Sequence, residues 1–239
     1  MLTPPRCRGV EILDDPSIDP ALRARSLGDV TRSNRLLGGL RAALVEVRAA
    51  RRGVVGPLTL LDVGTGLADI PHQAAAEARR AGGSLTAIAV DGAASLLAAA
   101  RDRVAYAVCA NGLALPFRDG SVDVVMCSQL MHHFDDAGAR RLIRELNRVA
   151  RHAVIVADLR RSWIAAAGFW ALSFPLGFHR ITRHDGVVSV LRGFTTAELA
   201  GLVSAETGAT PIVRRRLGFR ITVRWTPPGA HAARGAAVA

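Results

Sequence analysis

Two short stretches of this 239-residue chain hold residues whose types and spacing could do chemistry together. In LLDVGTGLAD (60–69) an apolar run reaches Asp62, then passes through Gly64, Thr65 and Gly66 into a helical stretch. Glycines at a strand-to-helix turn let the backbone bend tightly and let a ligand approach with no Cβ in the way. A second apolar run ends in Asp91, 27 residues after Gly64, where a carboxylate can accept hydrogen bonds from a ribose diol. The pair fits a nucleoside-bearing ligand. A pyrophosphate dinucleotide fits less well, because the third glycine of a G-x-G-x-x-G series would fall on Asp69.

The second stretch is QLMHHFDD (129–136). His132 and His133 are the candidate proton acceptors, since an imidazole with a pKa of about 6.5 can take a proton at neutral pH. A structural or substrate-shaping role for the pair stays open beside that reading. Asp158 ends another apolar run, where ligand crevices open in α/β sheets. Together with His184 and Asp185 it is a candidate to orient a second ligand. All three could equally pair with the many arginines.

The elements that would hold these residues alternate. Short apolar runs at 58–63, 85–90, 105–109, 122–127 and 153–158 are separated by helical stretches at 69–81, 93–103 and 136–150, a pattern of βαβ units and a parallel sheet. Thr195 and Glu198 have the spacing of a capping box, which predicts a helix starting there. Runs at 211–216 and 219–225 lie so close around Gly218 that they predict an antiparallel hairpin. Residues 1–55 read as an extended leader and a helical cap opening at Asp19-Pro20 and broken at Gly38-Gly39. The main domain is expected over 56–225, with an apolar insert or lid at 160–194 and a disordered Pro, Gly and Ala-rich tail at 226–239.

Half of the residues are hydrophobic, enough for one well-cored domain of this length. The net charge of +11 comes from 31 basic residues, all arginine. They are dispersed in pairs with one triplet, Arg214 to Arg216, which disfavours a nucleic-acid groove and favours solvated helix faces. Cys7, Cys109 and Cys127 have no metal-ligand spacing and no even count, so neither a metal site nor a disulfide framework is expected, and the compartment is read as cytoplasmic. No signal peptide is expected from the first residues. The uncharged stretch 162–178 is slightly short for a membrane span and contains Pro175, so a buried or lid helix is expected there. The oligomeric state is not legible.

With these residues in view, the chain resembles the class I S-adenosylmethionine-dependent methyltransferases, and among them the ubiquinone/menaquinone C-methyltransferase-like group. The resemblance covers about 58–158 and rests on the glycine turn, Asp91 and CANGLALPFRDGSVDVV (109–125), with its polar residue, Leu-Pro-Phe and strand-opening Asp123. It implies a Rossmann-like α/β fold, a seven-stranded mostly parallel sheet with an antiparallel C-terminal hairpin, helices on both faces, and S-adenosylmethionine as cofactor. It also implies that Asp62 supports the glycine loop, Gly64, Thr65 and Gly66 face the methionine part, Asp91 holds the ribose, Asn111 and Gly112 flank adenine, and Ser128 lies at the methionine end. Two departures stand out: Asn111 where many members have Asp, and Ala68 where many have a third glycine.

The run His132-x-Phe134-x-Asp136 resembles the pattern in which small-molecule O-methyltransferases carry their base. No Asn/Asp-Pro-Pro-aromatic tetrad follows strand 4, and a chain without lysine cannot supply a Lys-Asp-Lys-Glu set. Asp158 is followed by Leu159, without the paired acids of magnesium-dependent catechol enzymes, and Cys127 lacks the preceding proline of cytosine-C5 nucleophiles. The expected activity is methyl transfer to a small aromatic, quinonoid or polyketide-like acceptor, O-methylation preferred. The alternatives are C-methylation of a quinone-type acceptor and a basic RNA-binding or RNA-modifying methyltransferase.

Overall fold

Strand and helix alternate in the computed structural model of the chain, which describes residues 3–15 and 17–228. Two helices come first, α1 (Pro20–Leu36) and α2 (Gly39–Arg51), followed by β1 (Leu58–Val63), α3 (Asp69–Arg80), β2 (Leu85–Asp91), α4 (Ala94–Ala100) and β3 (Tyr106–Cys109). The second half runs β4 (Val122–Ser128), α5 (Asp136–Val149), β5 (Ala150–Leu159), α6 (Trp163–Ser173), α7 (Arg180–Arg192), α8 (Thr196–Thr207), β6 (Ile212–Arg216) and β7 (Arg220–Trp225). Of the tail expected to be disordered, 229–239 lies outside the described residues.

The seven strands form one sheet in the order β3-β2-β1-β4-β5-β7-β6. Pairing is parallel from β3 to β5, and β7 is antiparallel to both β5 and β6. The direction of winding reverses between β1 and β4, which opens a crevice at their C-terminal ends, the place where α/β sheets bind ligands.

Strand residues alternate between two cores, as a period of two requires. Leu61, Val125, Val154 and Val156 pack with α5 and α8, whereas Leu60, Val124, Met126 and Ile155 pack with α2 and α3. Local signals set several boundaries. The Asp19 carboxylate accepts from the N–H groups of Ala21 and Leu22 with Pro20 at the first helical position, so α1 starts there. Thr195 and Glu198 form the reciprocal capping box of α8. One expected helix is shorter than the sequence suggested: 93–103 is α4 plus a 3-10 turn at Arg101–Arg103, where Arg103 leaves the helix face to bond the Leu67 carbonyl and Asp69.

Within the apolar stretch 162–178 the helix α6 spans Trp163–Ser173 and a turn follows it, and no helix among the described residues is long and apolar enough to cross a membrane. The N-terminal leader is fixed as a strap across α7. Arg6 Nε donates to the Arg192 carbonyl at 2.8 Å, the Cys7 N–H donates to the Leu191 carbonyl, and the N–H groups of Ile12 and Leu13 donate to the two oxygens of Asp185 at 2.8 and 2.9 Å.

Candidate active site

A cavity of about 820 Å³ opens at the C-terminal ends of β1, β2, β3 and β4, within the range of about 300–1,000 Å³ that holds small ligands. Its floor carries Gly64, Gly66, Asp91, Asn111 and Gly112. Its roof is the face of α1 bearing Arg23, Leu27, Val30 and Ser33, with Phe169 from α6 and the inner side of α7. The first helix of the N-terminal segment therefore covers the cavity, while α2 packs on the sheet beside Leu60 and Ile155.

Asp91 Oδ2 accepts the Gly66 N–H at 2.9 Å and Oδ1 accepts the Ala93 N–H at 2.9 Å. Each oxygen keeps a lone pair for a ligand hydroxyl. Gly64 and Gly66 have φ of +71° and +56°, the left-handed region that costs any residue with a Cβ. A Cβ on Gly64 would stand 2.9 Å from both Leu130 methyls, whereas one on Gly66 would meet nothing within 4 Å. The turn is thus open on the Gly66 side and closed by Leu130 on the other. Ala68, at the position where a third glycine was expected, is buried with φ +55°; the chain holds the left-handed geometry there in spite of the methyl.

Asp62 lies beneath the turn, buried, with Oδ2 accepting from the Thr65 hydroxyl at 2.9 Å and Oδ1 without a partner among the described residues. Burial pushes its carboxyl up to about 7, only partly offset by the Thr65 bond, and the nearby Asp91 charge adds to the rise. An orphaned buried oxygen, a glycine turn open toward the cavity and an acid beside it fit a ligand that carries both a ribose and a cationic amino-acid end.

Two of the expected residues face elsewhere. Ser128 does not line this cavity; it borders a small gap with Gly39, Ala42 and Arg220, because the last residue of β4 points to the α2 side. Its neighbours Gln129, with φ +52°, and Leu130 line the cavity instead. Thr65 likewise turns down to Asp62 rather than toward the ligand space. Asn111 and Gly112 do line it, with Asn111 Oδ1 already accepting the Leu113 N–H at 2.9 Å.

The opposite end of the cavity holds the histidines. Its 3-10 turn, Met131–His133, follows Leu130 and buries His132. His132 Nδ1 lies 2.6 Å from Asp158 Oδ1, and the His132 N–H donates to Oδ2 at 3.1 Å. A carboxylate can only accept, so Nδ1 carries a proton, and in the neutral form of the ring Nε2 keeps the lone pair. Burial pushes the Asp158 carboxyl up, but the charge and hydrogen bond of His132, with the Leu159 N–H, outweigh it and hold the group below its ordinary range. Asp158 is therefore the anionic partner of the imidazole.

Glu11, brought in by the strap, faces both rings, with Oε1 3.8 Å from His132 Nε2 and Oε2 4.0 Å from His133 Nε2. Its Oε1 also accepts from the Ser189 hydroxyl at 2.8 Å. Asp14 lies 3.5 Å from His133 Nδ1. Burial lowers the pKa of His133, but the Asp14 bond and the charges of Glu11 and Asp14 more than reverse this and leave it raised. Arg192 knits the group together, donating to the carbonyls of His132 and His133 and lying 3.4 Å from both Glu11 and Asp14. Glu11, His132 and His133 offer ligand atoms within 4.8 Å of one another, the spacing of a metal cluster. The Arg192 guanidinium against the same carboxylate supplies the positive charge that a metal ion would compete with.

Of the other expected ligand contacts, Asp185 borders the cavity and anchors the strap, while His184 points outward, half-exposed, 2.8 Å from Asp185. Glu11, Asp14, Arg192 and Gln129 were not anticipated. Neither was Arg220, which is buried against the cavity with one guanidinium nitrogen on Gln129 Oε1 at 2.8 Å, its pKa lowered by burial to about 10 in spite of Asp158.

Residues 61–157 match the model of a family described as a methyltransferase domain. No curated protein matches the chain. Among solved structures, a SAM-dependent methyltransferase from Aquifex aeolicus is similar at 17% identity and a TM-score of 0.59, over 88% of this chain and 100% of the other. A plantazolicin methyltransferase in complex with a triazolic desmethylPZN analog and SAH is similar at 10% identity and 0.66, over 87% and 92%. The magnesium protoporphyrin IX methyltransferase of Synechocystis with bound SAH gives 12% and 0.53, over 89% of each. The fold is the Rossmann-like class I methyltransferase fold.

Proposed function

We propose that this S-adenosylmethionine-dependent methyltransferase methylates a hydroxyl of a small aromatic, quinonoid or polyketide-like acceptor, with His132 as the proton acceptor. The observation that carries the reading is the buried His132–Asp158 pair, in which the carboxylate holds Nδ1 and leaves Nε2 on the other side of the ring, beside Glu11 in the lining of the cavity. Bound S-adenosylmethionine supplies a methyl group already activated by its positive sulfur. Asp91 would hold its ribose, Asn111 and Gly112 its adenine, and Gly64 and Gly66 its methionine part, with Asp62 supporting the turn.

The protein's task is then alignment and one proton transfer. The acceptor O–H bond would break as its proton passes to His132 Nε2, and the freed oxygen pair would form the new O–CH₃ bond as the sulfonium S–CH₃ bond breaks, with S-adenosylhomocysteine as the leaving group. Asp158 on one side of the ring and Glu11 on the other stabilise the imidazolium that results. The spacing of Glu11 and the guanidinium beside it favour a proton site over a metal site. His133 and Asp185 shape the acceptor end. Leu13, Leu27, Val30 and Phe169 make that end apolar, which suits an aromatic acceptor and supports α1 and the 160–194 segment as its cover. The names of the porphyrin and plantazolicin enzymes of the same fold are consistent with a small-molecule acceptor.

The test is turnover of a panel of phenols with S-adenosylmethionine, the methyl located in each product by mass spectrometry. Methyl ethers, lost in His132→Ala while S-adenosylhomocysteine still binds by calorimetry, are the expected result. Products methylated on ring carbon would replace the hydroxyl reading by C-methylation.

A further inference from the structure

Helix α6 presents its apolar side to the outside. Trp163, Ile164, Ala167, Trp170, Ala171 and Phe174 are all exposed, and their spacing (i, i+1, i+4, i+7, i+8, i+11) puts them in one stripe. Trp163, Trp170 and Phe174 are 52%, 53% and 50% exposed, and Trp170 stacks edge-on against Phe174 with centroids 4.9 Å apart. Contiguous exposed aromatic surface of this kind marks a docking face rather than random surface composition. The opposite side of the helix packs inward through Ala165, Ala166 and Ser173. Its Phe169 ring lies against Gly186 of α7, where a Cβ would come within 2.0 Å, and borders the cavity. One helix therefore separates the acceptor end from the outside.

The rim is basic. From Leu159 to His184 the chain has no acidic residue, and in sequence the stripe lies between Arg160 and Arg161 before it and Arg180 and Arg183 after it; Asp29 of α1 reaches the end of this segment, where it accepts from the His179 N–H at 2.9 Å and the Thr182 hydroxyl at 3.1 Å. Arg161 is spent inside on Glu198. Arg180 is exposed, and the half-buried Arg183 places its guanidinium carbon 3.6 Å from the centre of the Phe174 ring, with Nε donating to the Ser173 hydroxyl and one terminal nitrogen to the Phe178 carbonyl. A second copy docked on the same stripe would bring like charges together, since a two-fold contact pairs each rim with itself. An anionic surface meets no such cost. At 11 residues α6 is too short to cross a bilayer but suited to lie in its interface, where indole and phenyl rings are favoured.

We propose that the outward face of α6 docks this protein on an anionic lipid surface. Trp163, Trp170 and Phe174 enter the headgroup layer and the flanking arginines meet the lipid phosphates. This surface is independent of the proposed acceptor chemistry, and its test reads binding alone.

The experiment is co-sedimentation of the full chain with vesicles of phosphatidylcholine, or of phosphatidylcholine with one quarter phosphatidylglycerol, while tryptophan emission is followed. Binding to the anionic vesicles, a blue shift of emission and weakening by added salt are expected. The Trp163→Ser/Trp170→Ser variant should partition at least about tenfold less and keep its melting temperature, because both side chains are exposed. Should it melt early, Arg180→Glu tests the same face through charge and should also weaken binding. The proposal is overturned if the wild type stays in the supernatant, if it binds both vesicle types equally, or if it forms a dimer that the double variant abolishes without vesicle binding.

Discussion

His132 and Asp158 are joined twice, ring Nδ1 to Oδ1 at 2.6 Å and backbone N–H to Oδ2 at 3.1 Å, with both side chains buried. The first bond fixes the tautomer and the second fixes the turn that carries the ring, so the orientation of the ring and the nitrogen left to face the ligand depend on one carboxylate. Loss of that charge should therefore damage chemistry more than binding.

Asp158→Asn tests this directly. The amide can take the backbone N–H with its oxygen and offer N–H to Nδ1, which moves the ring proton onto Nε2 and removes the base. The expected fall in kcat is about 10²–10⁴-fold, the usual worth of a positioned general base. The affinity for S-adenosylhomocysteine by calorimetry should be unchanged, since Asp158 is buried against His132 and does not line the cavity. A variant that turns over a phenol at the wild-type rate would remove His132 from the mechanism.

The Asp14–His133 pair has a defined pH window. The His133 pKa is raised, where burial opposes but Asp14 and Glu11 prevail, and the Asp14 pKa is lowered, chiefly by its bond to His133. A raised histidine contributes stability that is fully present below its ordinary value and lost as pH rises through the folded one. A lowered carboxylate contributes stability present above its ordinary value and lost as pH falls through its folded one. The pair therefore stabilises the strap between these limits, from acid pH to just above the ordinary histidine value. Asp14→Asn should move the His133 titration, followed by NMR, to lower pH. Its melting temperature should differ from wild type at mildly acid pH and converge with it at alkaline pH. The exposure of Asp14 keeps the effect below about 1 kcal/mol.

Much of this was legible in the chain, for physical reasons. Apolar runs of strand length, the glycine turn at 64–66, the acid ending β2 and the Thr195–Glu198 box are local signals, and local signals determine local structure. The strap was not legible, because the contacts of Glu11 and Asp14 with His132, His133 and Arg192 span more than 100 residues and leave no periodic trace. An acidic pair three residues apart before a helix is their whole signature. Ser128 was expected in the cavity from the family resemblance, but strand alternation sends it to the other face, and the left-handed Gln129 redirects the chain before Leu130. Buried Arg220 read as one more surface arginine, since composition does not tell a solvated guanidinium from a buried one.

Asp62 gives a second pH prediction with the opposite sign from an ordinary carboxylate. Its carboxyl is pushed up to about 7 from 3.8, so the folded protein holds a proton that the unfolded chain has lost. The stability tied to the neutral form is fully present below 3.8 and is lost as pH rises through about 7. Asp62→Asn copies the neutral form. Its stability should match wild type in acid and exceed it above pH 7 by up to a few kcal/mol, in chemical denaturation without cofactor. Added S-adenosylhomocysteine should narrow the gap by giving Oδ1 a partner. A variant less stable than wild type at alkaline pH would mean that Asp62 is ionised in the folded protein.

The two glycines of the turn should fail differently when changed to alanine. Both sit at positive φ, where an alanine costs roughly 1–2 kcal/mol, and Ala68 at φ +55° shows that this fold can bear such a residue. Gly66→Ala adds a methyl that meets nothing within 4 Å, so the fold should survive with a modest fall in melting temperature. If that open side is the cofactor's place, the methyl stands in its way and S-adenosylhomocysteine affinity should fall at least about tenfold, with kcat at saturation little changed. Gly64→Ala puts its methyl 2.9 Å from Leu130, the residue that leads into the His132 turn. That variant should lose kcat as well as affinity, because displacing Leu130 displaces the base. Undiminished affinity in Gly66→Ala, measured by calorimetry on protein of near wild-type stability, would mean that the cofactor does not lie over this turn.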